Sequence, residues 1–200
     1  MKTILKVTSS ARGEASNSNK LVNNIIAKLD ARYGVNRVIE RDLVSQKYPH
    51  LEESHLAAFF APPEDSSLQT KEAVQHSDEA IKEVEDADII VIGVPLYNFN
   101  VPSALKAWID HIVRARKTFS YGNGGPQGLV KGKKVYLAIA SGGVYSEGPL
   151  KSIDFVEPYL RTVLGFIGLD DITVYRVEGV NVPGVQDTAL EKGLASVVIS

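Results

Sequence analysis

The sequence predicts an α/β fold in which one parallel sheet lies between two layers of helices. Short apolar runs rich in β-branched residues, such as Ile89-Ile90-Val91-Ile92, are bounded by polar residues or glycine, which is typical of strands buried on both faces. Segments of helical periodicity separate these runs, and this alternation indicates βαβ units. With 200 residues, of which 44% are hydrophobic, the chain is long enough for one domain with a sizeable core.

Five strands and the helices between them account for most of the chain. The predicted order is strand 3–8, helix 18–31, strand 37–42, an excursion over 43–69, helix 70–84, strand 87–94, helix 103–114, strand 134–140, helix 154–166, strand 172–178 and helix 185–198. The excursion holds a short helix over 52–60 and a break at Pro62-Pro63. Right-handed crossovers suit the strand order 2-1-3-4-5, with a ligand crevice at the carboxyl ends of strands one, three and four. We interpret residues 1–200 as a single domain.

Composition and charge disfavour several classes of protein. The 22 basic and 24 acidic residues give a net charge of −2, which favours neither nucleic acid nor an anionic membrane surface as a partner. The absence of cysteine removes disulfides, thiolate metal sites and cysteine nucleophiles, and fits a reducing compartment, so we expect the cytoplasm. Lys6 interrupts the first apolar run too early for a signal peptide, and no run approaches the roughly 18 residues of a membrane span.

The loop after the first strand has the composition of an anion site. In "TSSARGEASNSNKL", Ser9 and Ser10 end the strand, and four polar residues, Ser16 to Asn19, stand at the entrance to a helix. Hydroxyls, amides and the unpaired N–H groups of a helix start suit a phosphate, which the helix dipole also favours. The alternative is that these side chains only cap the helix. Neither a G-x-G-x-x-G nor a P-loop motif is present, which argues against a Rossmann dinucleotide site and a P-loop NTPase.

Two further loops follow the strands that flank the predicted crevice. The loop "PLYNFN", residues 95–100, offers flat aromatic and apolar groups beside backbone amides, which suits a planar heterocycle. The alternative is that Tyr97 and Phe99 are core residues beside turn-forming asparagines. In "AIASGG", Gly142 and Gly143 allow a ligand to approach the backbone closely, although a flexible turn is the alternative. A mononucleotide with a flat ring explains all three loops together.

The remaining polar residues give little indication of protein-based catalysis. The four histidines fall in no metal-binding or nucleophile motif, so we predict no metal site and a structural role for His111. Lys131, Lys133 and Lys134 form a small basic run that could favour a nucleotide phosphate, but such a run at a turn is usually solvated surface.

At this point the sequence resembles the FMN-dependent NADH-azoreductase family, whose flavodoxin-like homodimeric members are also described as quinone reductases. The motifs that carry the resemblance are "SSARGEASNSN", "PLYNFNVPSALKAWID", "TFSYGNGGPQGLVKGKK", "SGG" and "LGFIG", and they span nearly the whole chain. The pattern P-x-Y-N-F-N is specific, whereas the serine loop and "SGG" are weak when taken alone. The resemblance implies a flavodoxin-like three-layer sandwich and an FMN cofactor.

The resemblance also implies roles for individual residues. FMN phosphate would lie at Ser10, Ser16, Asn17 and Ser18, and the isoalloxazine ring would lie against the two other loops, which contribute Pro95, Leu96, Tyr97, Asn98, Phe99, Ala140, Ser141, Gly142 and Gly143. Tyr121 and Phe166 would border the substrate face, and a partner subunit would complete the pocket. Ser141, Tyr145, Phe59 and Phe60 depart from the family pattern, in which arginine or histidine can occur at or near these positions. The departures bear on substrate and nicotinamide preference, not on the flavin.

The function predicted on this basis is reduction of azo compounds or quinones by NADH, with NADPH as an alternative donor. The flavin carries the hydride in a ping-pong sequence, and the protein supplies orientation and electrostatics. Protons would come from water or from Tyr121. The second class that fits is an electron-transfer module without a small-molecule substrate, although such proteins are typically shorter and strongly acidic. A flavin-free regulatory domain shares the fold, and only the three loops argue against it.

Overall fold

A five-stranded parallel sheet forms the centre of the molecule. The computed structural model describes residues 2–34, 37–62, 67–122 and 124–199. The sheet consists of β1 (Thr3–Thr8), β2 (Arg37–Asp42), β3 (Ile89–Pro95), β6 (Lys134–Ala140) and β7 (Asp171–Val177), in the order β2-β1-β3-β6-β7. Counted along the parallel strands alone, this order is 2-1-3-4-5, so the predicted α/β topology is confirmed.

Helices cover both faces of the sheet. They are α1 (Asn17–Tyr33), α2 (Glu53–Phe60), α3 (Leu68–Asp86), α4 (Ser103–Ile112), α5 (Val156–Phe166) and α6 (Gln186–Ala195), with short 3₁₀ turns at Gly13–Ala15 and Pro149–Ile153. One apolar cluster joins α3, α4 and α5 to residues such as Leu5, Ile90 and Leu137 of the strands. The other joins α1 and α6 to the alternate residues of the same strands, including Ile4, Val91 and Ala138. All seven residues of β3 are buried, as its continuous apolar sequence predicts.

Helix and strand ends differ from the prediction by a few residues. The helix predicted over 103–114 ends at Ile112, and the last helix spans Gln186–Ala195 where 185–198 was predicted. The 3₁₀ turn Pro149–Ile153 precedes α5 and moves its start to Val156. In the excursion, the short helix is confirmed as α2 (Glu53–Phe60). Pro63, the second residue of the predicted break, lies outside the described residues.

The structure contains a hairpin that the sequence prediction left out. Strands β4 (Phe119–Gly122) and β5 (Gly125–Gly128) pair antiparallel and form a separate two-stranded sheet. Their anchor is Gly128, because a Cβ there would lie 2.2 Å from the backbone nitrogen of Gly168. Val130, just beyond the hairpin, donates its amide to the Ile167 carbonyl at 2.9 Å. The hairpin is thus attached to the turn that precedes β7, near the amino ends of β6 and β7.

The lysine run before β6 is part of the framework at that same end of the sheet. The Lys133 ammonium donates to the carbonyl oxygens of Glu85 and Ala87 at 2.7 and 2.6 Å, at the carboxyl end of α3. Lys134 forms an ion pair with Asp171, the first residue of β7. A cation beside the last carbonyls of a helix is a stabilising arrangement. Lys133 and Lys134 are thus held by the framework of the fold, which is neither the solvated surface nor the nucleotide-phosphate site that the sequence suggested.

Among the described residues, no helix combines the length and the apolar character that a bilayer crossing requires.

Candidate functional site

The three loops singled out in the sequence meet at the carboxyl ends of β1, β3 and β6. Ten of the thirteen predicted cofactor-binding residues line one cavity of about 200 Å³: Ser10, Ser16, Asn17, Ser18, Pro95, Leu96, Tyr97, Ala140, Ser141 and Gly142. The convergence follows from the sheet, because β1 pairs with β3 and β3 pairs with β6 in parallel register. The carboxyl ends of three neighbouring strands therefore open into one crevice.

The first loop presents hydroxyl groups and free amides at the start of α1. Ser16 is the N-cap residue, and its hydroxyl accepts the Asn19 amide at 3.2 Å. The hydroxyls of Ser16 and Ser18 lie 3.0 Å apart, and both side chains are buried. Within the described chain, no group accepts a hydrogen bond from the amides of Asn17 and Ser18. The capping interpretation is therefore correct for Ser16, but it does not account for the two amides that have no acceptor.

The second loop is a tight turn with unusual backbone geometry. Tyr97 and Asn100 exchange two backbone hydrogen bonds of 3.0 Å, and the two residues between them have positive φ, 48° at Asn98 and 67° at Phe99. Both central residues of a type I′ turn have positive φ, a conformation in which asparagine is common and phenylalanine is rare. Phe99 is 48% exposed, so it is not the core residue that the alternative interpretation required.

The third loop runs beside the chain that follows β7. Ser141 donates its amide to the Val177 carbonyl at 3.0 Å, and the Asn181 amide reaches the Gly142 carbonyl at the same distance. A Cβ at Gly142 would lie 2.7 Å from the side-chain nitrogen of Asn181. A side chain at 142 would therefore displace the Asn181 amide group from its present position. The described chain again provides no acceptor for the amides of Gly142 and Gly143.

Three predicted residues lie beside the cavity. Asn98 lines a neighbouring cavity of about 630 Å³, which also borders Tyr97, the start of α4 and residues of the excursion such as Leu43 and Tyr48. Phe99 is at the tip of the turn. Gly143 follows Gly142, and its carbonyl accepts hydrogen bonds from the Ser141 hydroxyl and the Gly179 amide.

Tyr121 and Phe166 occupy a different part of the molecule from the cavity. Their rings both contact Phe119, with centroid separations of 5.6 Å from Tyr121 and 4.5 Å from Phe166. Phe166 ends α5 just before the turn that leads into β7, so this aromatic group is near the amino end of the sheet. A seven-residue strand is about 20 Å long, which separates the group from the cavity at the carboxyl end of the same chain.

The sequence prediction missed three residues that line the cavity: Arg12, Val180 and Asn181. Arg12 stands in the quoted serine loop, where its positive charge could have been assigned to a phosphate. Val180 and Asn181 follow the fifth strand of the parallel sheet. The rule that ligands contact loops at the carboxyl ends of strands would have pointed to this segment as well.

The histidines form no candidate metal centre. Among the described residues, no group of three or more His, Asp or Glu side chains has the arrangement of a metal site. His111 is fully buried, and the rings of Tyr48, His55, Phe59 and His76 surround it. Burial lowers its pKa, and the nearby His55 and His76 act in the same direction against the hydrogen bond to the Pro49 carbonyl. The structure thus places His111 in the core, away from the cavity.

Comparison with known proteins identifies the family. A model of the flavodoxin-like fold family matches residues 2–198. The chain is 51% identical over 180 residues to an FMN-dependent NADH:quinone oxidoreductase of Herminiimonas arsenicoxydans, covering 90% of this chain and 88% of that protein. The chain belongs to the family of flavodoxin-like FMN-dependent quinone and azo reductases. The family assignment made from the sequence motifs is confirmed.

Other relatives of this family agree over almost the full length. An FMN-dependent NADH:quinone oxidoreductase of Mesorhizobium japonicum is 43% identical over 196 residues, which is 98% of this chain and 93% of the relative. The crystal structure of an azoreductase from Bacillus anthracis str. Sterne superposes with a TM-score of 0.89 at 31% identity, covering 98% and 96% of the two chains. The excursion and the hairpin are therefore within the aligned length of the family.

The side chains and amides of the cavity fit a flavin mononucleotide. Hydroxyls of three serines, the free amides at the start of α1 and the guanidinium-bearing Arg12 are donors suited to a phosphate. Leu96 and Tyr97 supply apolar and aromatic surface for a ring, and glycines at 142 and 143 permit close approach. Ligand pockets usually measure about 300–1,000 Å³, so a mononucleotide would extend beyond this cavity past its mouth.

Proposed function

We propose that this chain is an FMN-dependent NADH oxidoreductase that reduces quinones and azo compounds. The observation that carries the proposal is the convergence of the three loops on one cavity in a chain 51% identical to a protein named for this activity. The name of the relative supports FMN and NADH, and the azoreductase at 31% identity supports azo acceptors.

In this proposal the serine loop holds the phosphate of FMN. Ser10, Ser16 and Ser18 donate their hydroxyl hydrogens, and Asn17 and Ser18 donate their free amides. The dipole of α1 and the positive charge of Arg12 favour the doubly charged phosphate group of FMN. Because Ser16 is already held as the N-cap, the phosphate site is in place before the ligand binds, which reduces the entropy lost on binding.

The other two loops hold the ring and shape its electronic environment. FMN bound here would supply the hydride chemistry between NADH and the acceptor, so the protein needs no nucleophile of its own. Leu96, Tyr97 and Phe99 provide the surface against which the ring lies. The amides of Asn98, Phe99, Gly142 and Gly143 have no acceptor within the described chain, and they would favour negative charge on the reduced ring.

The donor and the acceptor would use the same face of the ring in turn, which gives a ping-pong sequence. Both carry flat rings that would stack on the flavin, so the site would hold one of them at a time. The cavity of about 630 Å³ that Asn98 lines would give room for the rest of the donor or of the acceptor.

We propose further that the active unit is a homodimer in which each site is completed by the other chain. Tyr121 is 74% exposed, although it is a large aromatic residue on a firmly anchored hairpin. Tyr121 and Phe166 lie near the amino end of the sheet and so border no cavity at the carboxyl end of their own chain. Contact between them and a flavin therefore requires the site of a second chain.

An anaerobic titration of the FMN-loaded protein with NADH, followed by visible absorbance, tests the proposed function. Stoichiometric bleaching of bound flavin, followed by reoxidation with a quinone, is the expected result, and NADPH in place of NADH measures the donor preference. Flavin that NADH leaves oxidised, but that a protein reductant bleaches, would establish the electron-transfer alternative. Absence of FMN binding would refute the proposal altogether.

Steady-state kinetics test the ping-pong order, and sedimentation tests the proposed dimer. Double-reciprocal plots at several acceptor concentrations should be parallel, whereas intersecting lines would exclude the ping-pong order. Sedimentation equilibrium should give two chains per particle. A monomer that is fully active would exclude the shared site.

A further inference from the structure

A buried group of charges lies behind the third loop and belongs to none of the roles described so far. Arg176 on β7 is 12% exposed and donates to Asp154 and to Glu157, both at 2.6 Å, and to Glu178 at 3.2 Å. Hydrogen bonds from Arg176 and Arg161 lower the pKa of Glu157 although its burial acts in the opposite direction. None of these acidic groups lines the cavity.

The energetics of this charge cluster suggest a task other than stability. Removing several charges from water is expensive, and apolar replacements of buried ion pairs are often as stable as the originals. The cluster is best explained if its directional hydrogen bonds hold neighbouring chain segments in one arrangement, which apolar packing alone would leave variable.

Glu178 is the member of the cluster that contacts the third loop. One oxygen of its carboxylate, Oε1, accepts the Tyr145 amide at 2.8 Å, the Ser146 amide at 3.0 Å and the Arg176 guanidinium at 3.2 Å. The carboxylate is 11% exposed. A charged acceptor shared by two backbone amides holds them more strongly than a neutral acceptor would.

These two bonds hold the far half of the loop. From Ser141 to Gly143, backbone hydrogen bonds attach the loop to the segment after β7. Over residues 144–147, all of which the structure describes, the only hydrogen bonds are the two that Glu178 accepts. The ring of Tyr145 in turn lies over Gly143, because a Cβ on that glycine would be 3.2 Å from Tyr145 Cε2.

We infer that Glu178, oriented by Arg176, is a positioning residue that sets the ring-side wall of the cavity by anchoring the loop at Tyr145 and Ser146. The inference rests on the proposed function, since it concerns the wall against which the flavin ring would lie. It goes beyond that function by assigning a role to a side chain outside the cavity. It also accounts for an acidic residue close to a proposed anion site, because the charge of Glu178 faces Arg176 and the loop amides.

Glu157 provides a matched control. It also pairs with Arg176, but it accepts no hydrogen bond from the 141–147 loop. The variants Glu178→Ala and Glu157→Ala therefore remove one carboxylate each from the same guanidinium, and only the first releases the loop.

Hydrogen exchange in the protein without flavin is the first measurement. Glu178→Ala should accelerate exchange of the Tyr145 and Ser146 amides by about tenfold or more, in line with the loss of hydrogen bonds to a charged acceptor. Glu157→Ala should leave these amides within about threefold of the unsubstituted protein. Equal acceleration in the two variants would overturn the inference, because the loop would then respond only to the loss of the cluster.

The second measurement is the affinity of each variant for FMN and, for comparison, for riboflavin. Since the loop would contact the bound ring, Glu178→Ala should weaken the binding of FMN and of riboflavin by the same factor, about tenfold, and Glu157→Ala should weaken the binding of neither. Unchanged affinity in Glu178→Ala would refute the positioning role while leaving the proposed function intact. If the unsubstituted protein binds no flavin, the proposed function fails, and the exchange rates still decide whether Glu178 anchors the loop.

A conservative variant tests the same role with less risk that the protein fails to fold. Glu178→Gln keeps the shape of the side chain and one acceptor oxygen but removes the charge that faces Arg176. It should give exchange rates and affinities between those of the unsubstituted protein and Glu178→Ala. Behaviour identical to that of the unsubstituted protein would show that the charge of Glu178 has no part in positioning the loop.

Discussion

The hydroxyl of Ser10 lies 3.3 Å from the hydroxyl of Tyr97, although the two residues are 87 positions apart. They follow neighbouring strands, because Thr8 of β1 is paired with Gly93 of β3. Ser10 also accepts the Arg12 amide at 3.3 Å, so the first two loops are held together without a ligand. The proposed phosphate site and the proposed ring site are thus at a fixed separation, which is the arrangement that favours a ligand carrying both groups.

Ser18→Ala should weaken the binding of FMN much more than the binding of riboflavin. The Ser18 hydroxyl is buried beside that of Ser16, and in the proposal it donates to the phosphate, which riboflavin lacks. Loss of a hydrogen bond to a charged group costs about 2 kcal/mol, roughly thirtyfold in affinity. Quenching of flavin fluorescence measures both dissociation constants. An equal loss for the two ligands would place the phosphate elsewhere.

Phe99→Gly should stabilise the protein without flavin and weaken flavin binding. The backbone of Phe99 is left-handed, with φ at 67°, and this conformation costs a residue with a side chain about 1 kcal/mol. Since Phe99 is half exposed, the packing lost with its ring offsets part of this gain. Urea unfolding should show a net gain of less than about 1 kcal/mol, while the affinity for FMN falls.

Asn98→Gly is the matched control for that experiment. Asn98 has φ at 48° in the same turn, but asparagine tolerates this conformation better, so its replacement should change stability less. A Phe99→Gly protein less stable than the unsubstituted one would show that the ring packs more tightly than the structure indicates. If Phe99→Gly leaves the affinity for flavin unchanged, Phe99 does not contact the flavin ring.

The sequence predicted the parts of the molecule that depend on local pattern. The parallel strands are apolar runs, and the buried strand β3 shows no polar residue until its loop begins. The three loops were recognisable because each follows such a strand. The order of the strands could be inferred because crossovers between parallel strands have one hand.

Features that depend on tertiary contact could not be predicted from local pattern. Strand β5 is Gly125-Pro126-Gln127-Gly128, which has no β-branched or aromatic residue, and it exists because Gly128 packs on the backbone of Ile167 and Gly168. The left-handed Phe99 is equally unexpected, since the loop imposes a conformation that phenylalanine disfavours. Asn181 joins the cavity only because its backbone pairs with Gly142.

Gly128→Ala should destabilise the hairpin and, with it, the site that we propose two chains share. A new Cβ would lie 2.2 Å from the Gly168 nitrogen and 2.4 Å from the Ile167 carbonyl carbon, and backbone atoms cannot move as a flexible side chain can. We expect a loss of about 1–3 kcal/mol in the free energy of unfolding, typical of overpacking. Activity per bound flavin should also fall, because Tyr121 is displaced.

Gly124→Ala tests whether that effect is specific to the anchor. Gly124 is in the same hairpin, but among the described residues outside its immediate chain neighbours no atom lies within 4 Å of where its Cβ would be. This variant should match the unsubstituted protein in stability and activity. Equal losses in both variants would mean that the hairpin itself, and not its attachment at Gly128, is sensitive to substitution.

Stability should fall as the pH is lowered below about 6.5, and His111 should be one cause. Burial lowers the pKa of His111, and its Nδ1 has no hydrogen-bond partner within the described chain. The unfolded state, where histidine titrates near pH 6.5, therefore binds a proton that the folded state resists. The contribution of His111 is fully present above that pH and is lost as the pH falls towards its lowered value in the folded protein.

Urea unfolding at pH 7.5 and 5.5 in the absence of flavin measures this effect. His111→Gln can still donate to the Pro49 carbonyl, which now lies 3.0 Å from His111 Nε2, and it cannot be protonated. The variant should be less stable than the unsubstituted protein at pH 7.5 but should lose less stability on acidification. If His111→Gln loses as much stability between pH 7.5 and 5.5 as the unsubstituted protein, the acid sensitivity does not come from His111.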